Sequence, residues 1–297
     1  MSKLSPSLKA LINAPFARPG PAPAPAKIGD IYAAIAREAA QKKIGARPWI
    51  ALATAASFTM NSPDSISALY SVASSASASS SSPPTNPVQT AEFMREVGLK
   101  CISFNGIPRT INCLNAFHAS LPADVTAQLS TTPSRAVTAQ NLDAVAQRGR
   151  ALWDSVYAPF EDKLYAKLAQ SHPDMPVHIL HSHYGPLLSD PTPREKGSLG
   201  SVGRVLTSVV AIACLRAQSG VAPQVLSHVF GLRKAVLGDG SYRADALTEE
   251  EKRGAEWLAT DEGGEWILGS VDRIAAAIGG GEGSNFAPRP AGRESKL

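Results

Sequence analysis

One pattern constrains this chain more than any other, and it occurs twice. An arginine opens an Ala-rich apolar run, a tight Ser/Pro break follows, and a second amphipathic run turns back; the copies are Arg47 to Val72 and Arg204 to Val236. A run that is apolar almost all round, with helical periodicity, has to be covered on every side, so each copy predicts a buried helix hairpin. No segment alternates apolar and polar residues between turn signals, as a half-buried strand would. The fold class that follows is all-α.

The composition supports a packed chain. Hydrophobic residues make up 44% of the 297 residues and charged ones 18%, which excludes a wholly disordered protein and leaves room for two domains or one large one. The net charge of +4 comes from 29 basic against 25 acidic residues, with no Lys/Arg run interleaved with aromatics. Despite a pI near 9.0, no nucleic-acid partner is expected. Three cysteines, Cys101, Cys113 and Cys214, form no CxxC pair, so a disulfide framework and a Cys-rich zinc site are excluded and a reducing compartment fits. The longest apolar stretch, Val205 to Leu215, is closed by Arg216. It is about half of what crossing a bilayer takes, so it reads as a buried helix and no membrane partner is expected.

Residues 1–29 read as an irregular Pro/Ala-rich arm, without the apolar centre of a secretory signal or the arginine content of a mitochondrial presequence. A first helical block covers 30–120. Asp30 caps its first helix, Gly45 ends it, Pro48 opens the next, and Gly106 and Pro108 force a break before Thr110 to Phe117. Inside this block, 74–88 is Ser/Ala/Pro-rich and reads as a disordered loop. A linker, 121–144, leads to a second block at 145–278. There 172–193, with five prolines and four histidines, looks looplike apart from one short helix near Val177 to Tyr184. Thr248 to Glu251 is a capping box opening a final helix or helix pair. The Gly-rich tail 279–297 ends in Ser295, Lys296 and Leu297, the tripeptide read by the peroxisomal import receptor. That predicts residence in the peroxisomal matrix, with the receptor as a partner.

After the first hairpin stands Phe104-Asn-Gly-Ile-Pro-Arg-Thr-Ile-Asn112-Cys-Leu-Asn-Ala-Phe117. With the two hairpins, it resembles the carboxymuconolactone decarboxylase and alkylhydroperoxidase-D-like superfamily, over 30–120 and 145–275. The resemblance implies two tandem all-α half-units, a homo-oligomer, a pocket between helices for a small-molecule substrate, and no cofactor. Peroxidase members of that family carry a glutamate, a CxxC pair and a histidine four residues after the second cysteine. In this chain His228 takes the histidine's place, Val221 and Gln224 the cysteines' and Val209 the glutamate's, while the first copy has Ser62, Ser65 and Leu69. A two-cysteine peroxidase mechanism is therefore not expected. What remains is acid/base chemistry on a small organic acid, lactone or peroxide-related metabolite. The alternatives are a catalytically silent binding or assembly relative, and residual antioxidant activity through Cys101 or Cys214.

His228 and Arg204 are the candidate catalytic pair: a general acid/base, and a guanidinium holding an anion, with Arg216 as a second anion holder. The competing reading is a histidine satisfied inside a helix pair. Arg109 and Asn112 are candidates for the pocket wall, against a mechanical role in the Gly106/Pro108 turn. His178, His181 and His183 have the spacing for two imidazoles one turn apart, with His172, Asp174 or Asp190 as a further ligand. The surrounding prolines and the lack of an HExxH motif favour a polar connector, and no metal is assigned. Trp153, Tyr157, Phe160 and Tyr165 are expected to pack the core between the halves, and Trp257 and Trp266 the C-terminal end.

Overall fold

Every regular element among the described residues is helical; the computed structural model describes residues 4–75, 86–191, 201–238, 240–241, 245 and 247–281. In chain order the helices are α1 (Pro6–Ile12), α2 (Ile28–Gln41), α3 (Ala46–Thr59), α4 (Pro63–Ser75) and α5 (Pro87–Lys100). Then come α6 (Ile102–Asn105), α7 (Ile107–Ser120), α8 (Ala123–Thr126), α9 (Leu142–Tyr157) and α10 (Glu161–Ser171). α11 (Asp174–His178) runs into a π-helical stretch, Ile179–Leu188. α12 (Gly203–Gln218), α13 (Ala222–Arg233), α14 (Glu249–Leu258) and α15 (Asp261–Ile278) complete the chain.

The architecture follows from two helices that have no solvent face. α3 buries every residue from Arg47 to Thr59, and α12 buries every residue from Gly203 to Leu215. They pack against each other at the centre, with α2, α4, α5 and α15 around α3, and α13 and α15 on α12. They run side by side in the same direction. Arg47, at the start of α3, donates to the Ser201 and Val202 carbonyls just before α12, and the Cys214 thiol lies 3.9 Å from the Ala55 carbonyl further along both helices. Both repeated stretches thus fold as helix, break, helix, as α3–α4 and α12–α13.

The start of α12 is built from afar. Its first N–H groups, which no intrahelical carbonyl can reach, donate to Asp190 Oδ2 (Gly203, 2.7 Å) and Asp245 Oδ2 (Arg204, 2.7 Å). Gly203 holds φ at +82°, and a Cβ there would sit 2.7 Å from the Asp245 carboxylate, so only glycine fits. Asp190 also binds the buried ammonium of Lys100 at 2.8 Å. Burial raises the Asp190 carboxyl, but Lys100, the Gly203 N–H and Arg135 outweigh it and hold the group below the usual carboxylate range.

A second, smaller core joins Trp153 to Leu180, Tyr184 and Leu188. It forms where α9 meets the π-helical stretch at a glycine pair: a Cβ on Gly149 would stand 2.6 Å from the Gly185 backbone nitrogen.

Several expectations change. The arm is not wholly irregular: Ser5 caps α1, its side chain accepting from the Leu8 N–H. Asp30 lies inside the first turn of α2 rather than capping it. Asn86 caps α5, which begins at Pro87 rather than Thr90. Most of 172–193 is helical, with Pro186 near the end of the π-helical stretch. Phe160, expected in the core, is 66% exposed just beyond α9. The Thr248–Glu251 capping box forms as expected. Of the Ser-rich loop 74–88, residues 76–85 lie outside the described residues, as does the tail from 282 onward, including Ser295, Lys296 and Leu297.

Candidate functional site

The chemistry-bearing side chains that converge do so where α12, α13, α9 and the π-helical stretch meet. α12 is apolar along most of its length, so Arg204, Thr207 and Ser208 are the polar groups it carries into this region. α13 begins with Pro223 in its first turn and places His228 facing inward, 7% exposed. Phe104, Leu152, Val156 and Leu188 wall a small cavity from the apolar side, and Tyr184, Arg204, Thr207, Ser208 and His228 are among the groups that face them. Its volume is about 10 Å³, room for about one water molecule.

His228 sits edge-on to two rings, Phe104 at 6.0 Å and Tyr157 at 6.1 Å between centroids. Its Nδ1 is buried and makes no hydrogen bond. Desolvation, with the positive charge of Arg204 as a second cause, lowers its pKa from 6.5 to about 4. The imidazole is therefore neutral through the physiological range. The Tyr184 hydroxyl donates to the Tyr157 oxygen at 3.0 Å, and burial raises the pKa of both phenols, so they too stay neutral.

Arg204 is occupied. Nε donates to Ser155 Oγ (2.7 Å), Nη1 to Ser208 Oγ (2.7 Å), and Nη2 to the Ser155 carbonyl (3.0 Å) and the Gly231 carbonyl (2.9 Å). Its guanidinium fastens α9, α12 and α13 together through these four bonds, at the wall of the cavity.

The remaining site candidates do not join this cavity. Arg216 forms a two-pronged pair with Asp272 at 2.8 and 2.7 Å, nearly half exposed, between α12 and α15. Arg109 donates to the Thr59 carbonyl, and Asn112 bonds Asn61 at 3.2 Å near the surface; both fasten α7 to the end of α3. In the first hairpin, Ser62 and Ser65 hydrogen-bond each other at 2.7 Å, fully buried. At the positions the resemblance aligns with cysteines stand hydroxyls that cannot cycle through a disulfide.

The thiols are buried, whereas His178 and His181 are exposed. Cys101, Cys113 and Cys214 are all buried and free, with Cys101 and Cys214 sulfurs 3.6 Å apart. Burial pushes Cys113 up to about 12 and Cys101 well above the usual thiol range. His178 Nδ1 lies 2.9 Å from Ser182 Oγ, and His183 Nδ1 3.0 Å from Ser103 Oγ. No group of three or more metal-ligating side chains occurs among the described residues.

No family model matches this chain, and neither the curated proteins nor the solved structures contain a match. Among the described residues no helix is long and apolar enough to cross a membrane.

The cavity also holds side chains that the sequence reading did not assign to it. Tyr184 ends the short helix expected near Val177 to Tyr184, where nothing local marks it for a cavity, and Phe104 opens the motif before α7. Ser208 had a usable signal, a hydroxyl four residues after an arginine on an otherwise apolar helix.

Proposed function

We propose that the chain is a thiol-independent relative of the carboxymuconolactone decarboxylase and alkylhydroperoxidase-D-like proteins, built from two half-units, whose chemistry centres on His228. The observation that carries this reading is a buried imidazole with an unpaired Nδ1 at the wall of a cavity. A buried imidazole nitrogen left unsatisfied costs about 1–3 kcal/mol, so its place at this wall supports a small polar partner in the cavity, a ligand or a water. The neutral ring carries one unprotonated nitrogen, so His228 acts as general base or hydrogen-bond acceptor. Because Arg204 spends its donors on Ser155, Ser208 and Gly231, a lactone or another uncharged small molecule suits the cavity better than a carboxylate. The cavity is too small for such a substrate as it stands, so its lining has to open for entry.

The experiment is a metabolite comparison between cells with and without the protein, repeated with His228→Gln, which keeps a polar side chain of similar reach. A metabolite difference that disappears in the folded variant supports catalysis. Wild-type behaviour of the variant removes His228 from the mechanism.

A second reading, a silent binding or assembly relative, is favoured by the same cavity's size, about one water. In that case the metabolite comparison shows no difference at all. Peroxisomal import is proposed on Ser295, Lys296 and Leu297 alone. A fluorescent fusion carrying this tail at its free carboxyl end should enter peroxisomes and should stay out when the three residues are removed.

A further inference from the structure

Residues 1–29 contain Lys3, Lys9, Arg18 and Lys27 and no acidic residue. Of the 29 basic and 25 acidic residues in the chain, 25 of each therefore fall beyond residue 29. The entire formal charge of +4 sits in this arm, and the body is neutral.

The arm's apolar side chains are as unevenly placed as its charge. Leu4, Leu8, Leu11 and Ile12 share one face of α1 and its lead-in, with Phe16 a turn further on, and all five are between 44 and 85% exposed. α1 buries none of its residues. A helix this short has no stability of its own, so its apolar face calls for a surface to lie on. The arm is tethered where the Ala22 N–H donates to the Asn61 carbonyl at 2.9 Å, and Pro19, Pro21, Pro23 and Pro25 hold the stretch around that tether away from helix.

The charge selects the surface. A second copy of the chain offers pairs of exposed apolar side chains on α7 (Ile107, Ile111) and α13 (Leu226, Phe230), and scattered ones beside carboxylates at Leu142, Phe160 and Met175. Neither α7 nor α13 contains an acidic residue, and they carry Arg109 and Arg233. The pairs therefore give a cationic arm no electrostatic gain, and the scattered side chains give its five apolar residues little to lie on. An anionic bilayer surface answers both features, taking Leu and Phe at the acyl boundary and Lys and Arg among the headgroups. We propose that residues 4–18 are a peripheral anchor that lays this chain on an anionic lipid surface without crossing it.

The test is flotation of the full chain with vesicles of phosphatidylcholine containing phosphatidylserine, against vesicles of phosphatidylcholine alone. Binding is expected only to the anionic vesicles, falling as salt is raised and weakened about tenfold or more by Lys9→Glu with Arg18→Glu. Leu8→Asp with Leu11→Asp should abolish it. These residues are exposed, so all the variants should keep the wild-type melting curve. The proposal is overturned by absence of binding to anionic vesicles, by equal binding of the Leu8/Leu11 variant, or by that variant converting a dimer to a monomer, which would make the arm a contact between copies. Recovery of the protein from cells with the arm cut away would also overturn it, making the segment a cleaved address.

Discussion

The guanidinium of Arg204 donates to the carbonyl of Gly231, three residues beyond His228 on the same helix. The arginine therefore sets the position of the histidine and also depresses its pKa. Lysine at 204 keeps the charge but has no planar fork to reach Ser155, Ser208 and Gly231 together. Arg204→Lys is expected to lower stability by about 2–4 kcal/mol, since carbonyls left buried without donors are costly. Urea unfolding measures this; an unchanged midpoint would mean that the guanidinium bonds contribute little.

His228 links stability to pH, with a sign that can be worked out. Its folded pKa of about 4 lies below the ordinary 6.5, so the unfolded chain takes up the proton first as pH falls. Its contribution is complete above pH 6.5 and is lost between 6.5 and 4, amounting at most to about 3 kcal/mol at the acid end. Unfolding free energies measured across that window should slope downward toward acid in the wild type. In His228→Gln the slope should flatten by one proton's worth. An equal slope in both would place the linkage elsewhere.

The Lys100–Asp190 pair ties α5 to the start of α12, and Lys100 is fully buried. Lys100→Met leaves the Asp190 carboxylate facing a methyl group, with Gly203 and Arg135 as its remaining partners. Removing one member of a buried pair typically costs about 3–5 kcal/mol. The loss should shrink below the unfolded carboxylate range, because Asp190 then takes up a proton in the variant. Denaturation at neutral and acidic pH distinguishes this from a simple packing defect, whose cost does not depend on pH.

Much of this was written locally in the chain. Apolar runs after Arg47 and Arg204, broken by Ser62-Pro63 and Ala222-Pro223, fix α3–α4 and α12–α13 because their causes lie within a few residues. The all-α class follows from the same local periodicity. The partners of Arg204 were not legible, since Ser155 and Gly231 approach it only through the packing of three helices. The π-helical stretch was legible only in part, as a short helix near Val177 to Tyr184: Pro186 locally argues for a loop beyond it, and the close contact between Gly185 and Gly149 is tertiary. Both readings of His228 place it between helices; its unpaired nitrogen is a tertiary fact.

That glycine contact gives a prediction of its own. Gly149→Ala places a methyl 2.6 Å from the Gly185 nitrogen and 3.2 Å from the Tyr184 carbonyl carbon, both backbone atoms that cannot swing away. The two helices have to separate, at a cost of about 1–3 kcal/mol. Tyr184 should shift with them, opening the second core. A lower melting temperature accompanied by a change in near-ultraviolet circular dichroism from Trp153 and Tyr184 is the expected result.

The three cysteines decide the antioxidant alternative. A thiol attacks a peroxide as thiolate, and burial holds Cys113 at about 12 and Cys101 well above its usual range. Cys214 lies beside Cys101, fully buried between α12 and α3. None should react with a charged thiol reagent at neutral pH until the chain unfolds, when all three should react together. Peroxide treatment should likewise leave the native protein reduced by mass. A single fast thiol in the folded state would reverse this: it would mean that the core around Cys101 and Cys214 opens on the reagent's timescale, and that peroxide chemistry is within the chain's reach.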